Sequence, residues 1–153
     1  MITTLIGDVE LTFETRNSVF SPTGIDKGTL AMLAAANLPE NLRKSDKLLD
    51  LGCGYGVVGV YAAKLTNPRN VVMSDHSKLC VELSQKNAER NGVGGVKVVL
   101  SDGFHSLTDT DFDIILSNPP YHADFSVPKH FIEKGFNRLK VGGKMYMVTK
   151  RKD

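Results

Sequence analysis

With 153 residues, 41% of them hydrophobic and 24% charged, the chain has the composition of a soluble globular protein with room for one ordinary core. No apolar run approaches the roughly 18 residues of a membrane span, and the start, MITTLIGDVELTFETR, lacks the basic patch and apolar stretch of a secretory signal. The formal net charge of +2 neither demands nor excludes a nucleic-acid partner; Cys53 and Cys80 have no CxxC spacing and read as free thiols, which favours the reducing cytoplasm.

Residues 2–6 and 9–15 alternate as two short strands around a Gly7-Asp8 turn. The Pro- and Gly-broken stretch FSPTGIDKGT, residues 20–29, leads into an apolar helix over residues 26–36. From Lys47 strands and helices alternate. Residues 47–51 form a buried strand, 57–65 a helix, 70–74 a strand and 77–90 a helix, with Ser77 as its cap and Asn91-Gly92 as its stop. Strands follow at 96–100 and 112–117, then a helix at 129–139 and a last strand at 144–149. That order predicts right-handed crossovers and an α/β fold with a doubly wound, mostly parallel sheet. No repeat, low-complexity tract or linker divides the chain, so a single domain is expected over residues 1–153, with a hairpin extension at 1–19 and the core at 20–153.

Ligands of such sheets bind beyond the carboxyl ends of the strands, so the residues just after each strand carry the functional signal. Four places stand out. Asp50-Leu51-Gly52-Cys53-Gly54-Tyr55-Gly56 ends the first core strand, and its glycines at alternate positions let the backbone turn sharply and approach a ligand. Gly54, Gly56 and Gly59 also fit the dinucleotide fingerprint G-x-G-x-x-G. Asp50 argues against it: an acid there would face a pyrophosphate, whereas a ligand with an amino acid's ammonium group would welcome it. Ser74-Asp75-His76 follows the second core strand, where an acid can accept both ribose hydroxyls or simply cap the helix after it. At Ser101-Asp102-Gly103-Phe104 a carboxylate can accept from an adenine amino group beside an apolar ring, and ordinary turn chemistry gives the same residues. At Ser117-Asn118-Pro119-Pro120-Tyr121 two prolines restrict the backbone and remove amide donors. They leave the carbonyls of Asn118 and Pro119, with the Asn118 side-chain oxygen, as outward acceptors beside the flat ring of Tyr121.

With these residues in view, Asp50-x-Gly-x-Gly-x-Gly and Asn118-Pro-Pro-Tyr121 resemble the motifs of class I S-adenosylmethionine-dependent methyltransferases that act on exocyclic amines. FSPTGIDKGT and NPPYH are similar, more narrowly, to the small-domain methyltransferases, which include ribosomal RNA guanine-N2 enzymes. The resemblance implies S-adenosylmethionine as cofactor. It places Asp50, Gly52, Gly54 and Gly56 (with Cys53 in the same turn) at the methionine moiety, Asp75 with the adjacent His76 at the ribose, and Asp102 with Gly103 at the adenine. Asn118 and Pro119 would bind the target amine at the cofactor's edge, and Tyr121 would stack on the base. It also implies two more strands than these residues supply and a second, non-catalytic domain, so the expected sheet lacks its last two strands and the chain reads as a fragment or as completed by something else.

The implied function is methylation of an exocyclic amino group of an RNA base, guanine N2 of ribosomal RNA first, with RNA as partner, no membrane and no metal. Alternatives are an adenine-N6 or protein-glutamine N5 methyltransferase and a cofactor-binding module without activity; a nicotinamide-dependent dehydrogenase trails, because NPPY has no task in hydride transfer. The basic residues Lys134, Arg138, Lys140, Lys144 and Lys150-Arg151-Lys152 read first as a solvated face and second as a phosphate track, and His105, His122 and His130 as loop residues outside the chemistry.

Overall fold

The structure, a computed structural model, describes residues 1–119 and 126–149. Two antiparallel strands, β1 (Ile2–Ile6) and β2 (Val9–Phe13), form a hairpin. Helices α1 (Lys27–Ala36) and α2 (Leu38–Asn41) precede a core of β3 (Leu48–Leu51), α3 (Val57–Leu65), β4 (Val71–Asp75), α4 (Lys78–Arg90), β5 (Lys97–Leu100), β6 (Phe112–Ser117), α5 (Ser126–Phe136) and β7 (Leu139–Met147). The five core strands are all parallel, in the order β5-β4-β3-β6-β7. No described helix is long and apolar enough to cross a membrane.

The central strands β3, β4 and β6 are buried on both faces and are accordingly near-continuous hydrophobic runs, whereas β5 and β7 at the margins are partly exposed. On one face Leu48, Val71, Met73, Ile114 and Leu116 pack with α1, α3, α4 and the hairpin residues Leu11 and Phe13. On the other, Leu49, Leu51, Val72 and Ile115 pack with Phe104, Leu107, Phe112 and Phe131 of α5. The chain leaves β3 for β4 and β5 on one side and returns to β6 and β7 on the other, so the strand order reverses between β3 and β6. That reversal opens the crevice of a doubly wound sheet.

Local chemistry accounts for most boundaries. Ser77 caps α4 by accepting from the Cys80 amide at 3.3 Å, and Gly92, at φ +77°, ends it. Asp26 lies just outside α1 as its cap, accepting from the Thr29 amide at 3.1 Å. The last two elements differ from the expectation of a helix over 129–139 and a strand over 144–149. Helix α5 ends at Phe136 and β7 begins at Leu139, because Gly142-Gly143 does not break the strand but bulges it. The register slips between Phe112 and Ile114, Gly142 takes φ +84°, and a Cβ on Gly143 would meet the Phe112 carbonyl oxygen at 2.8 Å.

The hairpin is tied to the core by side-chain amides standing in for a third strand. Asn91 accepts from the Thr12 amide at 3.0 Å and donates to the Thr12 carbonyl at 2.9 Å. One helical turn earlier Asn87, fully buried, treats Glu14 the same way at 2.8 and 3.0 Å and donates to the Tyr55 carbonyl at 2.7 Å. Replacing Asn87 by Ala leaves these backbone groups without partners, at about 1–3 kcal/mol per buried group. Asn87→Ala is therefore expected to lower unfolding free energy by about 3 kcal/mol and to expose the amides of residues 9–14 first. Denaturant titration and hydrogen exchange check this; a loss below the scatter of surface substitutions would show that the amides only decorate the contact.

Candidate active site

Parallel pairing of β3 with β6 sets Leu51 opposite Ser117, and the Ser117 hydroxyl donates to the Leu51 carbonyl at 2.8 Å. Both strands thus end at one level, and the residues that follow them, Gly52 and Asn118, face a common cleft. The cleft measures about 1180 Å³ and is open to solvent. Its walls include Gly52 and Gly54 after β3, Asp75 and His76 after β4, Asp102, Gly103 and Phe104 after β5, and Asn118 after β6. A smaller chamber of about 60 Å³ adjoins it behind the glycine turn and shares Phe20, Gly52, Gly54 and Asn118 with it; Asp26, Thr29, Asp50 and Cys53 belong to this chamber.

Gly52, Gly54 and Gly56 all take positive φ, at +74°, +58° and +106°. A Cβ on Gly52 or Gly54 would meet no protein atom within 4 Å, so both turn bare backbone toward open space. Gly56 instead lies against Met73 and Ser84, and Gly59 presses on Met73, so the last two glycines of the dinucleotide-like spacing serve helix packing. The turn hangs from β4: the amides of Gly52 and Cys53 both donate to the Ser74 carbonyl at 2.8 Å, and the Gly54 amide donates to Asp75 Oδ2 at 2.9 Å.

Asp75 both braces the start of α4 and stands on the cleft wall. Its Oδ1 accepts from the Ser77 amide at 2.9 Å, tying it to the start of α4, yet it lines the cleft, and each oxygen keeps a lone pair for a ligand. His76 is exposed beside it, Nδ1 3.4 Å from Asp75 Oδ1. Asp102 is exposed at the cleft wall, and Gly103 takes φ +57° in a turn that Ser101 braces from within. Phe104 is buried edge-on to Phe131, giving that wall an apolar floor. Cys53 is buried with its Sγ 3.2 Å from Ser84 Oγ, and burial pushes its thiol well up, so it is a packed side chain.

Asp50 is 3% exposed and accepts from the Gly59 amide at 2.9 Å across the first turn of α3. Burial raises its carboxyl to about 7, against the Gly59 hydrogen bond and helped by the charge of Asp75. Asn118 donates from Nδ2 to Asp26 Oδ2 and to Thr29 Oγ1, each at 2.9 Å. Its Oδ1 is buried and, among the described residues, has no hydrogen-bond partner. Pro119 is buried beside it, while Tyr121 lies outside the described residues, as do His122 and Lys150-Arg151-Lys152.

Several residues here were not marked in the sequence. Phe131 lines the cleft, as does Phe20 of the FSPTG stretch; His105 and His130, expected in loops away from the chemistry, also line it, and His130 does so from helix α5 rather than from a loop. The hydroxyl of Tyr55 donates to the Ser21 carbonyl at 3.1 Å, fastening the FSPTG loop over the glycine turn, and burial raises its phenol to about 12. Arg138 is unavailable as a free cation: its guanidinium donates to the carbonyls of Leu107, Asp109 and Phe104 and covers the Phe104 ring. Lys140 stands 3.8 Å from Asp113, and among the described residues Lys134 is the lysine that lines the cleft.

This sheet, crevice and glycine turn define a Rossmann-like methyltransferase fold. The chain belongs to the Methyltransferase small domain family, whose profile it matches over residues 10–153. Uncharacterized protein YbxB of Bacillus subtilis (strain 168) is 35% identical over 144 residues, 94% of this chain and 70% of that protein. Ribosomal RNA small subunit methyltransferase C of Haemophilus ducreyi is 32% identical over 92% of this chain and 43% of its own length. The solved 16S rRNA N2 methyltransferase of T. thermophilus, in complex with AdoMet and guanosine, superposes with a TM-score of 0.85 at 31% identity, covering 95% of this chain and 40% of its own. The chain thus spans less than half the length of these two ribosomal RNA methyltransferases.

Asp50 gives the site a pH dependence whose sign follows from its burial. The folded carboxyl keeps its proton up to about 7, whereas the ordinary value is 3.8, so the native state loses stability relative to the unfolded chain as pH rises between these values. Asp50→Asn retains an acceptor for the Gly59 amide and has no charge to bury. Its thermal midpoint should match the parent's near pH 4, pull ahead up to about 7 and hold that lead above. A lead independent of pH would mean that Asp50 is ionised throughout and compensated within the fold.

Proposed function

We propose that this protein is an S-adenosylmethionine-dependent N-methyltransferase that methylates an exocyclic amino group of an RNA base, guanine N2 of ribosomal RNA. The observation that carries the reading is the buried Oδ1 of Asn118 next to Pro119 at the switch point, without a hydrogen-bond partner among the described residues. A buried acceptor without a donor is costly, and an amine N–H supplied by a substrate satisfies it. The names of the ribosomal relatives support the substrate class, and the guanosine bound in the T. thermophilus enzyme supports guanine.

The residues present fit the cofactor. Gly52 and Gly54 leave a cradle that any side chain would fill, Asp50 and Asp26 make the adjoining chamber anionic enough for an ammonium group, Asp75 offers lone pairs to a ribose, and Asp102, Gly103 and Phe104 border the far end of the cleft, where an adenine belongs. Bound there, the cofactor supplies an electrophilic methyl group on a sulfonium. An aryl amine is a poor nucleophile because its lone pair is delocalised into the ring. Acceptors from Asn118 and the backbone around Pro119 hold its N–H bonds and turn the lone pair out of conjugation toward the methyl group. Holding two reactants in line contributes up to ~7–11 kcal/mol of barrier lowering. A base in a helix is unstacked to reach the cleft at a few kcal/mol, so a loop or single strand is the easier target. Two free cysteines, Cys53 and Cys80, suit a cytoplasmic setting.

Purified protein with labelled S-adenosylmethionine should transfer methyl groups to ribosomal RNA lacking its modifications, and nucleoside mass spectrometry should return N2-methylguanosine. Asn118→Ala should lose ~100-fold or more in turnover with the dissociation constant of S-adenosylmethionine unchanged by calorimetry. Label in a protein pool and none in RNA would replace the RNA reading by a glutamine one. An Asn118→Ala protein that melts early but turns over normally would remove Asn118 from the chemistry.

A further inference from the structure

The stretch FSPTGIDKGT contributes more than a covering loop. Asn118 can serve as an acceptor only if its amide is turned with the oxygen toward the cleft, and nothing in its own backbone selects that orientation. The selection comes from 89 and 92 residues away in sequence, where Thr29 Oγ1 and Asp26 Oδ2 each accept one of the two Nδ2–H bonds at 2.9 Å. Both donors of the amide are consumed, and the opposite flip would set Oδ1 against a carboxylate and a hydroxyl oxygen. We propose that Asp26 and Thr29 are positioning residues that lock Asn118 with its Oδ1 toward the target amine.

Three further observations fit this role. Asp26 Oδ2 also accepts from the Thr29 amide at 3.1 Å as the cap of α1, so the carboxylate is fixed before Asn118 reaches it. Gly28 is the spacer that permits the approach: a Cβ there would meet Asp26 Oδ2 and Val148 Cγ1 at 2.9 Å and come within 3.8 Å of Asn118 Nδ2. Thr29 is buried, which removes water as a competing partner for its hydroxyl. A carboxylate accepting from one end of an amide also draws electron density onto its oxygen, as hydrogen bonds in series polarise one another. Asp26 therefore both aims Asn118 Oδ1 and strengthens it as an acceptor. The inference rests on Asn118 as the amine acceptor, and the test separates the two.

Thr29→Val removes one acceptor without changing shape, Thr29→Ser restores it, and Asp26→Asn keeps a helix cap while removing the charge. Thr29→Val and Asp26→Asn should each lower kcat for methyl transfer to ribosomal RNA by about 10- to 100-fold, the range typical of residues that orient a binding group. In Thr29→Val, which removes no charge from the chamber, the dissociation constant for S-adenosylmethionine should stay within about twofold, and Thr29→Ser should recover most of the rate. In the parent, the Asn118 side-chain amide protons should exchange slowly with solvent, and Thr29→Val should speed the exchange of one of them. Unchanged kcat in both variants overturns the proposal, as does a rate lost equally in Thr29→Val and Thr29→Ser, which would mark a packing defect. If the parent methylates no RNA, the RNA reading fails separately and the amide spectra decide: slow exchange lost in Thr29→Val upholds the lock, and exchange alike in parent and variants rejects it.

Discussion

The adjacency of β3 and β6 decides where everything else in this molecule lies. These strands are neighbours in the sheet although more than sixty residues separate them, and their register brings Leu51 level with Ser117. The Ser117 hydroxyl closes the pairing on the Leu51 carbonyl. Beyond that level the two chains diverge to opposite faces of the sheet, because the crossovers from β3 and β6 run in opposite directions. The glycine turn and the Asn118-Pro119 segment are therefore the two lips of one crevice, set by main-chain pairing and independent of any direct contact between their side chains.

The glycine turn is held from the other neighbour. Ser74 accepts two of its amides and Asp75 a third, so the turn hangs from β4 and has little freedom of its own. Three carboxyl groups gather around the turn: Asp75 faces the cleft, and Asp50 and Asp26 line the small chamber. Burial leaves Asp50 protonated up to about 7 in the protein alone. A cationic group entering the chamber would favour the ionised form, and binding and proton release would then be coupled. The instability that a buried acid brings to the fold is in this sense the complement of the ligand charge the chamber suits.

Much of this was legible in the sequence because it follows local rules. Gly52, Gly54 and Gly56 announce a turn of positive φ, Ser77 announces a helix start, and residues 112–117 form the strand that their run of apolar residues indicates. What stayed hidden depends on contacts distant in the chain. Asp26 reads as the first residue of the helix and is its cap, one residue outside, and nothing near it discloses that the same oxygen reaches Asn118. Asn87 reads as part of a helix's polar face and Asn91 as the helix stop, while in the fold both hydrogen-bond the backbone at the end of β2. Gly142-Gly143 falls between the helix and the strand expected at 129–139 and 144–149, because nothing local shows that a strand beginning at Leu139 absorbs it as a bulge.

The lock also explains why position 118 holds an amide. An Asp there would offer acceptors to an amine equally well, but its second oxygen would lie about 3 Å from Asp26, and two carboxylates at that distance cannot both ionise. A Ser or Thr would place one oxygen where Asn118 spans two sites. An amide alone of these presents donors at one end and an acceptor at the other, with a rigid plane that transmits orientation between them. The charge of Asp26 thereby acts on the cleft through Asn118 without being exposed to it. A carboxylate placed in the cleft itself would attract water and cations of every kind, whereas a neutral oxygen backed by a half-buried charge favours a ligand that brings an N–H bond to that point.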